Sequence, residues 1–77
     1  LVDGKITVPS FFQNTISILG ISEGYVTIVN SKGIEILSEK KIDSANNTID
    51  VSNVPSGFYT IFIKTMNQNS VHKCIKH

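Results

Sequence analysis

The sequence predicts an all-β fold, an immunoglobulin-like antiparallel β-sandwich of about seven short strands. Three observations carry that expectation. Isoleucine, valine and threonine dominate, while alanine occurs once, at Ala45; branched side chains suit a pleated surface better than a helix. Apolar residues alternate with polar ones at period two in several windows, and none holds the three-to-four-residue spacing of a helix face. Turn signals rich in Gly, Pro, Asn and Ser separate those windows at short intervals.

Residues 4–8 read as a first strand, stopped by Pro9, whose ring removes the amide that a ladder needs. Residues 15–19 follow, with Ile16 and Ile18 on one face. After a turn at Ser22, Glu23 and Gly24, residues 25–29 place Val26 and Ile28 on one side, and Tyr25, Thr27 and Val29 on the other. Residues 30–33 form a hairpin connection in which Gly33 takes a left-handed position that a side chain resists. Residues 34–39 return with Ile34 and Ile36 inward, and the polar residues 40–47 read as a loop. Residues 48–51 put Ile49 and Val51 inward and Asp50 outward. Pro55 then breaks the ladder and Gly57 releases the backbone. Residues 58–65 make the longest strand, with Tyr59, Ile61 and Ile63 on one face and Thr60, Phe62 and Lys64 on the other. Residues 66–69 turn the chain, and residues 70–76 end it with Val71, Lys73 and Ile75 on a shared face.

Seventy-seven residues make one domain, 1–77, and Leu1 in place of a methionine suggests a piece of a longer protein, though a trimmed chain or a processed product looks the same. So short a chain buries only about 60% of its unfolded surface, so it must be economical or lean on a neighbour. The net charge of +1 obliges no face to be strongly basic, which argues against a general nucleic-acid binder. A lone cysteine, Cys74, and no tryptophan exclude both an internal disulfide framework and an antibody-type Cys–Trp–Cys core. No apolar run approaches the roughly 20 residues of a membrane helix, and no cleavable signal opens the chain.

Candidate chemistry is sparse. Tyr59 reads as a tyrosine corner, its ring in the core and its hydroxyl on a nearby backbone group. His72 and Cys74 share a strand face, but two ligands do not make a zinc site, and no orienting group for a Cys–His nucleophile is visible. The carboxylates Asp3, Glu23, Glu35, Glu39, Asp43 and Asp50 are scattered, so no pair suggests acid–base work and no cofactor is implied. In the irregular stretch after Pro9, one of Phe11 and Phe12 lids the core, and the other joins Phe62 in an exposed apolar patch that marks a partner surface. Asn46, Asn47 and Thr48 fit a glycosylation sequon, and equally a plain polar loop. Lys64, Lys73, Lys76 and His77 make the last hairpin basic, either as edge protection or as a docking surface.

Three stretches together resemble the C-terminal sorting domain of the type IX (Por) secretion system of Bacteroidetes. "VTIVNSKGIEI" is similar to that family's strand, turn, glycine and returning strand; "IDVSNVPSGFYTIFI" is similar to its Gly-x-Tyr block; "VHKCIKH" is similar to its terminal Lys-rich strand. The resemblance spans residues 14–77, with departures: Pro9 stands without a Pro-Asn-Pro element, and Val29, Ile34 and Cys74 replace aromatic, basic and phenylalanine residues. It implies a non-catalytic export signal at the end of a longer secreted protein, with a corner shaped by Pro55 and Gly57 and pinned by Tyr59. The matching signal positions are Gly33, Gly57, Tyr59, Lys73, Ile75 and Lys76. The implied partners are the translocon, its shuttle and a sortase-like protein, on a path from the periplasm across the outer membrane to the cell surface without direct membrane insertion. A non-catalytic immunoglobulin-like spacer or adhesion module, or an uncleaved domain of a secretion-machinery component, fits the same residues. An open edge strand also permits a homodimer.

Overall fold

Backbone alternation decides which side of each strand is buried, and here it produces two facing layers. The structure, a computed structural model, describes residues 5–66 and 68–77. Asp3, Gly4 and Asn67 lie outside the described residues, as does Leu1. Seven strands form and no helix is present among the described residues: β1 (Phe11–Phe12), β2 (Thr15–Ser17), β3 (Glu23–Asn30), β4 (Glu35–Asp43), β5 (Thr48–Asp50), β6 (Gly57–Lys64) and β7 (Asn69–Lys76). One sheet has the order β1-β7-β6-β3-β4, and β2 pairs β5 in a separate ribbon. All pairings are antiparallel except β1 with β7. The all-β, immunoglobulin-like sandwich expected from the sequence is the fold of the protein.

The ribbon contributes Ile16 and Ile49 with the adjoining Ile18 and Val51; the large sheet contributes Val26, Ile28, Tyr59, Ile61, Ile63 and Cys74, all in one buried cluster. Each fully buried isoleucine contributes about 1.5–3 kcal/mol before its entropy cost. Ile61 pairs with Ile28 and Ile63 with Val26 across the central strands, so the two longest inward rows stack directly.

Four expectations are corrected. Among the described residues of 4–8, only Thr7 pairs, exchanging two hydrogen bonds with Leu19 at 2.9 and 3.0 Å. The chain leaves that pairing at Val8 and Pro9 to reach the other sheet, so the ladder has no length to grow. Phe11 and Phe12, read as irregular, instead form β1.

Residues 40–43, read as loop, continue β4. Val26 pairs with Lys40 and Ile28 with Leu37, so β4 carries an extra residue there. Glu39 takes φ 45°, and its amide donates to Thr27 Oγ1 at 3.1 Å. The bulge resets the alternation, which buries Ile42 to 1% exposure and leaves Lys40 and Lys41 in solvent. A second shift, between Ile28 and Val29, places Ile36 and Leu37 both half-buried. Ile34, expected inward, is exposed because it lies in the hairpin before β4 begins.

Gly20, which the sequence pattern did not single out, holds the Thr7 segment in place. Its φ is +90°, and a Cβ there would sit 2.0 Å from the Lys5 carbonyl oxygen. Only glycine permits that approach.

Candidate functional site

The corner between β5 and β6 begins with a local turn. Asp50 Oδ1 accepts the Ser52 amide at 2.9 Å, and the Val54 amide donates to the Val51 carbonyl at 3.3 Å. Pro55 follows, and Gly57 enters β6 at φ +148°, a conformation that side chains rarely adopt. Two side chains from the neighbouring strands then grip this corner. The buried Tyr59 donates its hydroxyl to the Pro55 carbonyl, and its ring meets Phe12 edge-on at 6.0 Å. The expected tyrosine corner is therefore present.

Lys76 supplies the second grip. Its Nζ donates to the carbonyls of Val51 at 2.7 Å, Ser52 at 3.3 Å and Val54 at 2.6 Å. The residue is only 8% exposed. An ammonium leaves water only when its protons are matched, and three carbonyls match all three. Lys76 was expected in a basic hairpin, as edge protection or as a docking surface; its inward position at the end of β7 removes it from the exposed charge. The Ser52 amide, then its hydroxyl, and to a lesser degree the Lys76 charge, hold the Asp50 carboxyl below its ordinary value.

The other side of β7 faces solvent. Val71 and Lys73 are exposed, and Ile75 is half-buried between Phe58 of β6 and Phe11 of β1, its register partners on either side. Phe11 and Phe58 are 60% and 67% exposed. The His77 ring stacks on Phe11 at 5.3 Å. Phe11, Phe58, Ile75, Thr60, Lys73 and Ser31 border a depression of about 420 Å3. As expected, one of the two phenylalanines lids the core, and it is Phe12. The exposed one, Phe11, neighbours Phe58 and not Phe62, which sits opposite Val71 four residues away along β7. Phe58 had no place in the sequence reading, because its strand-end position gave no sign of what lay beside it.

The edge of β7 is half closed. The Ile75 amide donates to the Ser10 carbonyl at 2.9 Å and the His77 amide to the Phe12 carbonyl at 3.1 Å. Among the described residues, no strand covers Asn69 to Cys74 on that side. Gly33 lies apart, at φ +81° in the β3–β4 hairpin, where Asn30 Oδ1 accepts the amides of Lys32 and Ile34 at 2.9 and 3.0 Å.

Cys74 faces the core beneath the ribbon, with its sulfur 3.7 Å from the Tyr59 carbonyl oxygen. Burial pushes the thiol up from 9.0 to about 11. His72 shares its face but is half-buried. Among the described residues, no group of three or more His, Cys, Asp or Glu side chains is placed to hold a metal ion.

A thiol pushed up to about 11 carries about a hundredfold less thiolate at neutral pH than an ordinary one. Native Cys74 is therefore expected to resist a disulfide-exchange reagent until denaturant is added; rapid stoichiometric labelling of the folded chain would contradict its burial. The same shift sets a pH dependence. Because the folded value is the higher one, the stabilisation is complete below pH 9 and is lost as pH rises towards 11. The melting temperature should fall more steeply across that window in the native chain than in a Cys74→Val variant.

A family profile described as a secretion system C-terminal sorting domain matches residues 4–77. No curated protein and no solved structure matches the chain.

Proposed function

The chain belongs to the secretion system C-terminal sorting domain family, the type IX family its sequence resembles, and from that premise we propose that the secretion machinery recognises it on the outward side of the β6–β7 ribbon. Domains of this family are signals and not catalysts: they send the attached protein towards the cell surface or the extracellular space. The partners in this reading are translocon, shuttle and sortase-like components. They meet the ribbon while the protein passes from the periplasm across the outer membrane.

The observation that supports the reading is a division of labour across β7. Its inward residues Cys74 and Lys76 are buried, with Lys76 bonded to the corner, while Val71 and Lys73 point to solvent, Val71 opposite the exposed Phe62. The inward residues hold the ribbon's shape, and the outward ones display it along a partly open edge. Nothing in this division calls for a catalytic group.

The test is a reporter fused to residues 1–77 in a bacterium with a working type IX system. The fusion should reach the surface, and one lacking residues 69–77 should stay in the periplasm. Surface delivery of the truncated fusion would overturn the reading. Normal export with extra residues appended after His77 would favour the spacer or adhesion module instead.

A further inference from the structure

Resting on that reading, we infer that the depression between Phe11 and Phe58 receives an extended segment of the machinery carrying an apolar side chain two residues from a carboxylate. Ile75 forms the floor, and Phe11 and Phe58, paired with it from either side, form the walls. Both walls are mostly solvent-exposed, and about 420 Å3 accommodates one large apolar side chain with room for its neighbours. The stacked His77 ring steadies the Phe11 wall. Aromatic groups clustered in a concave site are an anchor pocket in the sense that interfaces use them.

Charge determines the second half of the ligand. No Asp or Glu occurs after Asp50, and none lies in β1, so the face formed by β1, β6 and β7 carries lysines without carboxylates. Lys73 stands exposed at the rim, two residues from Ile75 on the same face. The ion pair of Lys41 with Glu23 lies on β3 and β4, away from this rim. An acidic partner is complementary to that rim, and a basic one is repelled.

Backbone geometry determines the third element. Among the described residues, the side of β7 from Asn69 to Cys74 lacks a strand and ends where Ser10 begins the β1 pairing. An extended segment added along that edge sets its carboxylate beside Lys73, and where β1 takes over the edge at Ile75 it leaves the pairing, so that its apolar side chain two residues on leans into the slot between Phe11 and Phe58. Strand addition supplies backbone hydrogen bonds, and the slot supplies the side-chain selection. A lipid surface fits less well, because an open backbone edge gains nothing from acyl chains.

The experiment titrates the isotopically labelled 77-residue chain with three probes by NMR: a Thr-Val-Thr-Glu-Thr-Val-Thr-Glu peptide (the Val-Glu peptide), which carries Val and Glu on one face when extended, its Val-Lys counterpart, and vesicles of anionic lipid. The Val-Glu peptide should saturably shift the amides of Phe58, Lys73 and Ile75. Lys73→Glu and Phe58→Ser should each weaken it by roughly tenfold while leaving the remaining spectrum unchanged. Phe11→Ser serves as a second wall variant should Phe58→Ser disturb the fold. Equal binding of the Val-Lys peptide, no saturable shift at the slot, a preference for the vesicles, or burial of the slot by self-association would each overturn the inference.

Export separates this failure from failure of the sorting reading. If the full fusion is exported and the slot variants are exported equally well, the slot is not the receptor contact but the signal stands. If the full fusion is not exported, the sorting reading itself falls.

Discussion

Replacing Lys76 with methionine should destabilise the domain by roughly 3 kcal/mol, read as a lower denaturant midpoint with an unchanged slope. Methionine keeps most of the apolar stem and removes all three donated bonds. The buried residue Val51 then loses the ammonium bonded to its carbonyl, and that of Val54 loses a 2.6 Å bond. Bonds to a charged group contribute about 1.5–3 kcal/mol each, and a stranded buried acceptor costs more than an exposed one. A chain of this size has a total stability of order 4–12 kcal/mol, so the loss is a large share. Lys73→Met, three residues earlier and exposed, should change stability by less than about 0.5 kcal/mol. A Lys76→Met variant as stable as the native chain would remove the inward clamp from the account.

Tyr59→Ala should cost about 3–5 kcal/mol, since it empties a buried aromatic site and removes the edge-on contact with Phe12. Tyr59→Phe separates the two contributions: it keeps the ring, loses only the hydroxyl bond to Pro55, and should cost about 1 kcal/mol. Both Tyr59 and Lys76 hold the same corner. Combining Tyr59→Phe with Lys76→Met should therefore give a non-additive loss, with a coupling of about 0.5 kcal/mol or more. Strict additivity would mean that the two grips are independent. A full-sized loss from Tyr59→Phe would mean that the hydroxyl, and not the ring, carries the site.

The corner was legible because its parts are close in sequence. Pro55, Gly57 and Tyr59 lie within five positions, and the tyrosine hydroxyl reaches a carbonyl four residues back. The inward rows of β3 and β6 were legible for the same reason, since period-two alternation is read from neighbours alone. The bulge at Glu39 was not, because it depends on Thr27, twelve positions away, offering an acceptor to its amide. Without that contact the polar run from Lys40 reads as loop, and Ile42 has no reason to point inward.

The sequence by itself determined the fold class, the inward rows of β3 and β6 and the corner, since each follows from local spacing and composition, while the family followed from the resemblance of its motifs. Tertiary structure alone decided which lysine is displayed and which is buried. Lys76 meets carbonyls 22 to 25 residues away. It likewise decided that Phe11 and Phe58 flank Ile75, because a parallel pairing between the first strand and the last brings them together. Residues far apart in the chain become neighbours only once the sheet closes, and no periodicity within one strand encodes what the next strand places beside it.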